Sequence, residues 1–350
     1  MPEGPFNGAP VVAAPDVWTW VPMPQTKCRN GSSTGFGVRL KPGSTKLFIY
    51  LEGGGACFNG ISCSANPSAF SAQNFTTWAG GNGATGIFNT ANAQNPVAAW
   101  NAVYIPYCTG DAHTGNATGV DVPGALSPKN QSFVGYANVG NDLQRIIPTF
   151  PNVTEVLLTG VSAGGFGAAY NYDRIARDFC PTPVVLIDDS GPTMSDTYMT
   201  PCLQTRWRTL WGLSGTLPVD CPQCTGPNGG GLVNYVSYLG TKYATGRLSL
   251  ISSTMDGTIT QFFGFGLNNC ANIDGFAPAM SGQMYAMGLA ELRTMYANQS
   301  PPWGSYFINS TTHTYLGGNA GYFNTTVNNV TLTSWVGDMV NGGPITNVGP

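Results

Sequence analysis

Five residues in the middle of the chain, Gly160-Val161-Ser162-Ala163-Gly164, have the pattern that surrounds the nucleophile of many serine hydrolases. They follow an apolar run that predicts a strand (156–159) and precede a run that predicts a helix (165–179). Such a strand-to-helix turn exposes the serine hydroxyl, which needs a neighbouring base to remove its proton. Histidine is the usual base near neutral pH, and the chain has two, His113 and His313.

The chain order of the candidate residues favours one arrangement. Functional side chains gather at the carboxyl ends of strands in open α/β sheets, and Ser162, Asp256 and His313 each follow a predicted strand. The order serine, acid, histidine is that of α/β hydrolases, and it excludes His113 as the base because His113 precedes the serine. Asp256 is the preferred acid because its strand is the one nearest in order to that of His313. Other acids also lie between Ser162 and His313: Asp188, Asp189, Asp220 and Asp274.

Attack of a serine on an ester carbonyl creates an oxyanion, which needs preorganised hydrogen-bond donors. The backbone N–H of Ala163, directly after the serine, is one expected donor. The second is expected from Gly53-Gly54-Gly55, which follows an early predicted strand and has no Cβ atoms to keep a substrate away. The expected donors therefore lie in the Gly53-Gly54-Gly55 segment and at Ala163.

Apolar runs alternate with helical patterns along the chain, which predicts an α/β fold with a mainly parallel sheet and helices on both faces. Residues 1–45 are expected to form an entry segment with a hairpin, packed on a single catalytic domain over residues 46–350. A helix over 136–147 is expected to end before Pro148. A long insertion over 193–243 fits either a cap over the active site or a surface loop tied by disulfides. The predicted strands are 46–51, 102–106, 155–159, 183–188, 248–252 and 305–308.

The composition limits the possible partners and the cellular compartment. Of the 350 residues only 9% are charged, against roughly 25% in ordinary soluble proteins, and the net charge is −3. Nucleic-acid binding is therefore not expected, and no run is long and apolar enough to span a membrane. Nine cysteines indicate an oxidising compartment, so we expect a secreted protein, although no signal peptide is visible at the start.

Three stretches resemble the pectin acetylesterase/Notum family of α/β hydrolases, and in particular its bacterial members. They are 51–59 together with Cys63, 105–111, and 160–165; the segments around Asp256 and His313 extend the similarity over about residues 28–340. The resemblance implies a serine carboxylesterase with Ser162, Asp256 and His313 as its triad and an oxyanion hole of Gly54, Gly55 and Ala163. It also implies secretion and disulfides Cys57–Cys63 and Cys28–Cys108.

This chemistry requires no cofactor and no metal. Cys221 and Cys224 have the spacing of half a zinc site, but neither a second pair nor a histidine accompanies them, and no thioredoxin-like context favours a redox motif. His113 and Asp111 follow a predicted strand, and either contact with a polar group of the substrate or an ordinary loop position is open for them. We expect a monomer.

Three functions fit these features. The first is removal of acetyl or other short acyl groups from a polysaccharide. The second is hydrolysis of lipid-like or polyester substrates, to which aromatic residues could offer an apolar surface: Phe75, Trp78, Phe262, Phe263 and Phe265. The third is a non-catalytic carbohydrate-binding protein that keeps the fold, because a fold does not by itself determine function.

Overall fold

A computed structural model describes residues 4–350 and contains one large sheet with the strand order β1-β2-β4-β3-β7-β8-β9-β10-β13. From β4 to β13 neighbouring strands in this order run parallel, whereas β1 and β2 pair in antiparallel fashion at one edge. The strands are β1 Thr19–Lys27, β2 Ser33–Arg39, β3 Lys46–Leu51, β4 Asn101–Ile105, β5 Ala117–Val120, β6 Gln131–Phe133, β7 Glu155–Val161, β8 Val184–Asp189, β9 Arg247–Ser253, β10 Gly304–Ile308, β11 Thr326–Val327, β12 Val330–Thr331 and β13 Asn347–Val348.

Helices cover both faces of this sheet, as the sequence predicts for an α/β hydrolase. They are α1 Gly60–Ser64, α2 Ala72–Gly80, α3 Gly135–Thr149, α4 Ala163–Asp178, α5 Pro201–Trp211, α6 Asn234–Lys242, α7 Ile259–Gly264, α8 Leu267–Cys270, α9 Gly282–Ala297, α10 Asn319–Asn324 and α11 Leu332–Val340. Along β3, Leu47, Ile49 and Leu51 face the core that contains α3 and α4, and Phe48 and Tyr50 face the core that contains α2 and α11. Each such buried side chain stabilises the fold by about 1.5–3 kcal/mol.

The N-terminal segment is part of the sheet. Residues 1–45 contain the expected hairpin as β1 and β2, and β2 pairs directly with β4 through residues 37–39. These two strands therefore extend the central sheet at one edge.

Helix α3 continues to Thr149, so the prediction that it ends before Pro148 is wrong. Proline has no N–H and cannot donate to the carbonyl of Gln144, four residues earlier. In the structure the N–H of Gly8 donates to that carbonyl at 3.1 Å. The N-terminal segment thus satisfies the acceptor that Pro148 leaves free, and the helix tolerates the proline.

Four disulfides connect cysteines in the described chain: Cys28–Cys108, Cys57–Cys63, Cys202–Cys270 and Cys221–Cys224. The first two are the pairs that the family resemblance implies, and the last accounts for the Cys-x-x-Cys spacing without zinc. Cys180 is free and exposed. Among residues 4–350 no cluster of three or more His, Cys, Asp and Glu side chains could hold a metal ion, and no helix is long and apolar enough to cross a membrane.

Candidate active site

Ser162 lies at a sharp turn between β7 and α4, with φ 58° and ψ −123°. A positive φ is costly for a residue with a Cβ and persists only where neighbouring structure enforces it. Here the Ser162 N–H donates to the carbonyl of Asp189 on β8 at 2.7 Å. Gly164 makes the turn possible, because a Cβ there would lie 1.9 Å from the carbonyl oxygen of Leu51. Two strands therefore hold the serine in its strained position.

His313 and Asp256 form a hydrogen-bonded pair at the ends of β10 and β9. His313 Nδ1 lies 2.7 Å from Asp256 Oδ2. The other carboxylate oxygen, Oδ1, accepts from the N–H groups of Thr258 and Ile259 at 2.8 and 2.9 Å. Asp256 is fully buried, and its carboxylate is therefore fixed on both sides. His313 Nε2 has no hydrogen-bond partner among residues 4–350, which leaves this nitrogen available to a hydroxyl or a substrate.

The other aspartates that the sequence offers as the catalytic acid have different hydrogen-bond partners in the structure. Asp220 contacts Lys242, and Asp274 forms a bidentate pair with Arg206. Asp188 accepts from the backbone N–H of Gly191 at 2.8 Å. Each of these carboxylates has its own partner, and only Asp256 is hydrogen-bonded to the His313 ring among the described residues.

Asp189 connects the serine turn to the histidine loop. Its carbonyl accepts from Ser162, and its Oδ2 accepts from the N–H groups of Tyr315 and Leu316, both at 2.7 Å. Burial raises the pKa of Asp189 to about 6, and these backbone donors, together with Ser190, oppose the rise. The residue was considered from the sequence only as an alternative acid. Its supporting role could not be identified from sequence, because its partners lie 126 and 127 residues away.

The glycine loop after β3 passes beside the serine. The N–H groups of Gly54 and Gly55 donate to no partner within residues 4–350, and Ala163 begins α4, where the first N–H groups are free by geometry. Gly55 has φ 78°, a conformation that favours glycine. The three expected donors thus belong to segments that flank Ser162.

Two clefts meet at Ser162. One, the apolar cleft, is lined by aromatic and aliphatic side chains that include Phe166, Tyr170, Met199, Trp207, Trp211, Leu232, Tyr235, Phe262 and Phe263. The other, named the polar cleft for its side chains Glu52, Asn82, Thr258, His313 and Thr314, also has a large apolar wall that includes Tyr50, Trp78 and Phe88. Ser162 and Gly55 line both. An ester whose carbonyl carbon lies beside Ser162 would therefore extend into both clefts.

The insertion over 193–243 forms much of the wall of the apolar cleft. Trp207 and Trp211 lie on α5 with ring centroids 5.5 Å apart, and Leu232 and Tyr235 follow near α6. The Cys202–Cys270 disulfide ties α5 to the segment after α7. The insertion therefore lines the cleft and carries disulfides.

The suggested contact of Asp111 and His113 with substrate is not supported, because both side chains are buried and occupied. Asp111 accepts from Thr109, His113, Gly115 and Gly135. His113 Nε2 lies 2.9 Å from the carbonyl oxygen of Glu52. Of the proposed apolar surface, Phe75, Trp78, Phe263 and Phe265 are buried, so it is a core and cleft wall instead of an exposed platform.

A family model described as Pectinacetylesterase matches residues 19–229 of the chain. The chain belongs to the pectinacetylesterase family. The palmitoleoyl-protein carboxylesterase NOTUM of Drosophila melanogaster is 31% identical over 216 residues, which cover 55% of this chain and 31% of that protein. The NOTUM of Mus musculus is 32% identical over 155 residues, covering 43% and 29%. The matched segment spans less than a third of the length of these relatives.

Solved structures extend the likeness over nearly the whole fold. The Wnt deacylase Notum from Drosophila superposes with a TM-score of 0.64 at 23% identity, covering 94% of this chain and 95% of that one. A second crystal form gives a TM-score of 0.62 at 22% identity, with 95% coverage of both. The chain thus shares the α/β-hydrolase fold of these proteins.

Glu52 is a residue of this site that sequence reasoning did not single out. Its Oε2 accepts from the Tyr107 N–H at 2.9 Å, and the side chain lines the polar cleft with Ser162 and His313. Burial raises the pKa of Glu52 to about 7. Its position directly after a buried strand and before three glycines was the available signal, since strand ends position functional residues.

We expect Glu52→Gln to be more stable than the wild type at pH 8. The pKa of Glu52 is higher in the folded state than in the unfolded state. This difference stabilises the folded wild type below the pKa of the unfolded state, and the stabilisation is lost as the pH rises through about 7. At pH 8 the free energy of unfolding of the variant should exceed that of the wild type by about 2 kcal/mol. Each unit of pKa shift is worth about 1.4 kcal/mol, and partial access of solvent to Glu52 reduces the total. This gain should disappear at pH 4. Urea unfolding at both pH values measures it, with exposed Glu291→Gln as the control; a gain that persists at pH 4 would contradict the assignment.

Proposed function

We propose that the protein is a serine carboxylesterase acting by two-step acyl transfer. Ser162 attacks the ester carbonyl while His313 takes its proton, and Asp256 orients the imidazole and stabilises its charged form. His313 then returns the proton to the departing alcohol. Water repeats the sequence on the acyl-enzyme and releases the acid. The N–H groups of Gly54, Gly55 and Ala163 bind the oxyanion in this proposal.

The main support for this proposal is the position of Ser162 where the two clefts meet. Ser162 and Gly55, a nucleophile and an oxyanion donor, line both clefts, and His313 lines only the polar one among the described residues. A base on the polar side is well placed to protonate a leaving alcohol there. The acyl part of the ester would then occupy the apolar cleft. The His313 Nε2 atom is engaged by no other group of the described chain, so it is free to accept a proton in this mechanism.

Two substrate classes follow. Removal of acetyl groups from a polysaccharide agrees with the family name and with a polar cleft that offers Asn82, Thr258 and Thr314. The apolar cleft favours acyl groups larger than acetyl, since an acetyl group would leave most of its aromatic wall uncovered. The curated relatives named palmitoleoyl-protein carboxylesterase fit this second class. We propose an apolar acyl group joined to a polar, hydroxyl-rich alcohol.

An acyl-chain series tests both the activity and the substrate class. We expect p-nitrophenyl butyrate, hexanoate and octanoate to give higher kcat/KM than the acetate. Leu232→Trp should narrow the apolar cleft and reduce kcat/KM for octanoate roughly tenfold or more, with little change for acetate. Leu126→Trp, at an exposed position, is the matched control. Equal losses on acetate and octanoate would show that the acyl chain does not enter this cleft.

Acetylated pectin and xylan, tested beside a polyester and an octanoyl peptide, identify the alcohol. A wild type inert on every ester would support the non-catalytic carbohydrate-binding alternative.

We also propose that the protein is secreted, because four disulfides are stable mainly in oxidising compartments. We propose in addition that it is a monomer. Size-exclusion chromatography with light scattering tests the oligomeric state.

A further inference from the structure

Three buried side chains hold the glycine loop through its carbonyl oxygens. His113 Nε2 lies 2.9 Å from the oxygen of Glu52, Asn66 Nδ2 donates to Gly54 at 2.7 Å, and the Tyr107 hydroxyl donates to Gly55 at 2.8 Å. The exposed fractions of Asn66, Tyr107 and His113 are 6%, 1% and 2%. Three consecutive glycines could otherwise adopt many conformations, so these bonds restrict the loop.

Each of these bonds also orients an N–H group. In a trans peptide the C=O and the following N–H point to opposite sides of the same plane. Fixing the Gly54 carbonyl through Asn66 therefore fixes the N–H of Gly55, a proposed oxyanion donor. The bonds from His113 and Tyr107 fix the peptide planes that begin at Glu52 and Gly55, so they restrict the loop on both sides of that donor. The N–H of Gly55 has no partner in the described chain, and Gly55 lines both clefts. The loop thus presents its free donor at the junction beside Ser162.

We propose that Asn66, Tyr107 and His113 are positioning residues that preorganise the oxyanion hole. This inference rests on the proposed esterase activity and deepens it. Donors that are already aimed at the developing negative charge need no reorganisation during the reaction, which is the source of their effect. None of the three residues belongs to the proposed catalytic triad. Each side chain holds the loop through a hydrogen bond to a backbone carbonyl oxygen.

Further contacts hold two of these side chains, those of Tyr107 and His113, in place. The Tyr107 hydroxyl accepts from the Ala112 N–H at 2.8 Å, so its proton is directed to Gly55. The Tyr107 and His113 rings lie 4.9 Å apart, and the His113 carbonyl accepts from Asn171. Burial lowers the pKa of His113 to about 4. At neutral pH the ring is therefore uncharged, and its single N–H must be on Nε2, because the carbonyl of Glu52 can only accept.

Tyr107→Phe tests the proposal with little change in side-chain volume. We expect kcat for p-nitrophenyl esters to fall roughly 10- to 100-fold with KM nearly unchanged, because only the transition state carries the oxyanion. Inhibition by a trifluoromethyl ketone that forms a tetrahedral adduct should weaken in parallel. The matched control is Tyr172→Phe: this buried hydroxyl donates to Val184 at 2.8 Å, away from both clefts, and its loss should leave kcat unchanged.

His113 offers a second pair of variants. His113→Phe removes the donor and should lower kcat, whereas His113→Gln places an amide N–H near the same position and should recover most of the activity. Nitrogen-15 NMR of the wild type should show His113 as the neutral Nε2–H form at pH 7. A Tyr107→Phe variant with wild-type kcat and inhibition, or equal losses in His113→Phe and His113→Gln, would overturn the positioning role. A wild type without esterase activity would instead overturn the proposed function.

Discussion

Ser162→Ala should reduce ester hydrolysis roughly 10⁴- to 10⁶-fold, the largest effect we expect from one substitution. Without the hydroxyl no acyl-enzyme can form, and the remaining activity reflects substrate binding and the oxyanion hole alone. His313→Ala should cause a similar loss, because an unassisted serine is a weak nucleophile. The double variant should be no worse than either single variant, since the two residues act in one step.

The measurement is kcat/KM on a p-nitrophenyl ester, together with covalent labelling by a fluorophosphonate and mass spectrometry of the labelled peptide. Ser249→Ala is the matched control, because the Ser249 hydroxyl is fully buried and donates to the Leu186 carbonyl inside the sheet. Its loss should leave both hydrolysis and labelling intact. Hydrolysis by Ser162→Ala within tenfold of the wild type, or a label on another residue, would remove Ser162 from the mechanism.

The parts of the site that were predictable from sequence are those specified by local patterns. The turn around Ser162 requires small neighbours and a strand before it, and both are visible within ten residues. The chain order then selected His313 and favoured Asp256, and the structure pairs these two at 2.7 Å. Parallel strands bring their carboxyl ends to one edge, so order along the chain converts into proximity in space.

The features that escaped prediction depend on contacts between distant segments. The bond from Gly8 to Gln144 lets α3 include Pro148, and no pattern near the proline reveals it. The Cys202–Cys270 pair joins residues 68 positions apart. His113 was identified as a residue of interest, but its burial and its bond to Glu52 across 61 positions could not be predicted from its neighbours in sequence. Tertiary packing determined each of these outcomes.

The division of the site into two clefts has a consequence for specificity. The walls of the apolar cleft come largely from the insertion over 193–243 and from α7, whereas the polar cleft is formed by the glycine loop, α2 and the His313 loop. If the acyl group and the alcohol bind as proposed, acyl preference and alcohol preference depend on different segments. Substitutions in the insertion would then change acyl preference while Ser162, His313 and Asp256 stay at the ends of the sheet strands.

Asp256→Asn is the second substitution with a very large expected effect, a loss of roughly 10⁴-fold in kcat with folding preserved. His313 Nδ1 lies 2.7 Å from Asp256 Oδ2, and in the proposed mechanism the carboxylate accepts the Nδ1–H so that Nε2 acts as the base. An asparagine keeps its carbonyl oxygen on the Thr258 and Ile259 N–H groups, because those donors are fixed in the backbone. Its NH₂ group then faces the imidazole and stabilises the opposite tautomer, with the proton on Nε2.

The activity of Asp256→Asn should be compared with that of Asp274→Asn, which removes a half-exposed carboxylate paired with Arg206 and should leave kcat unchanged. Thermal unfolding of both variants checks that the fold persists. The tautomer provides the sharper readout: nitrogen-15 NMR should show the His313 proton on Nδ1 in the wild type and on Nε2 in Asp256→Asn. Full activity in a folded Asp256→Asn protein would mean that the 2.7 Å contact only anchors the histidine loop, and that the imidazole is oriented by other groups.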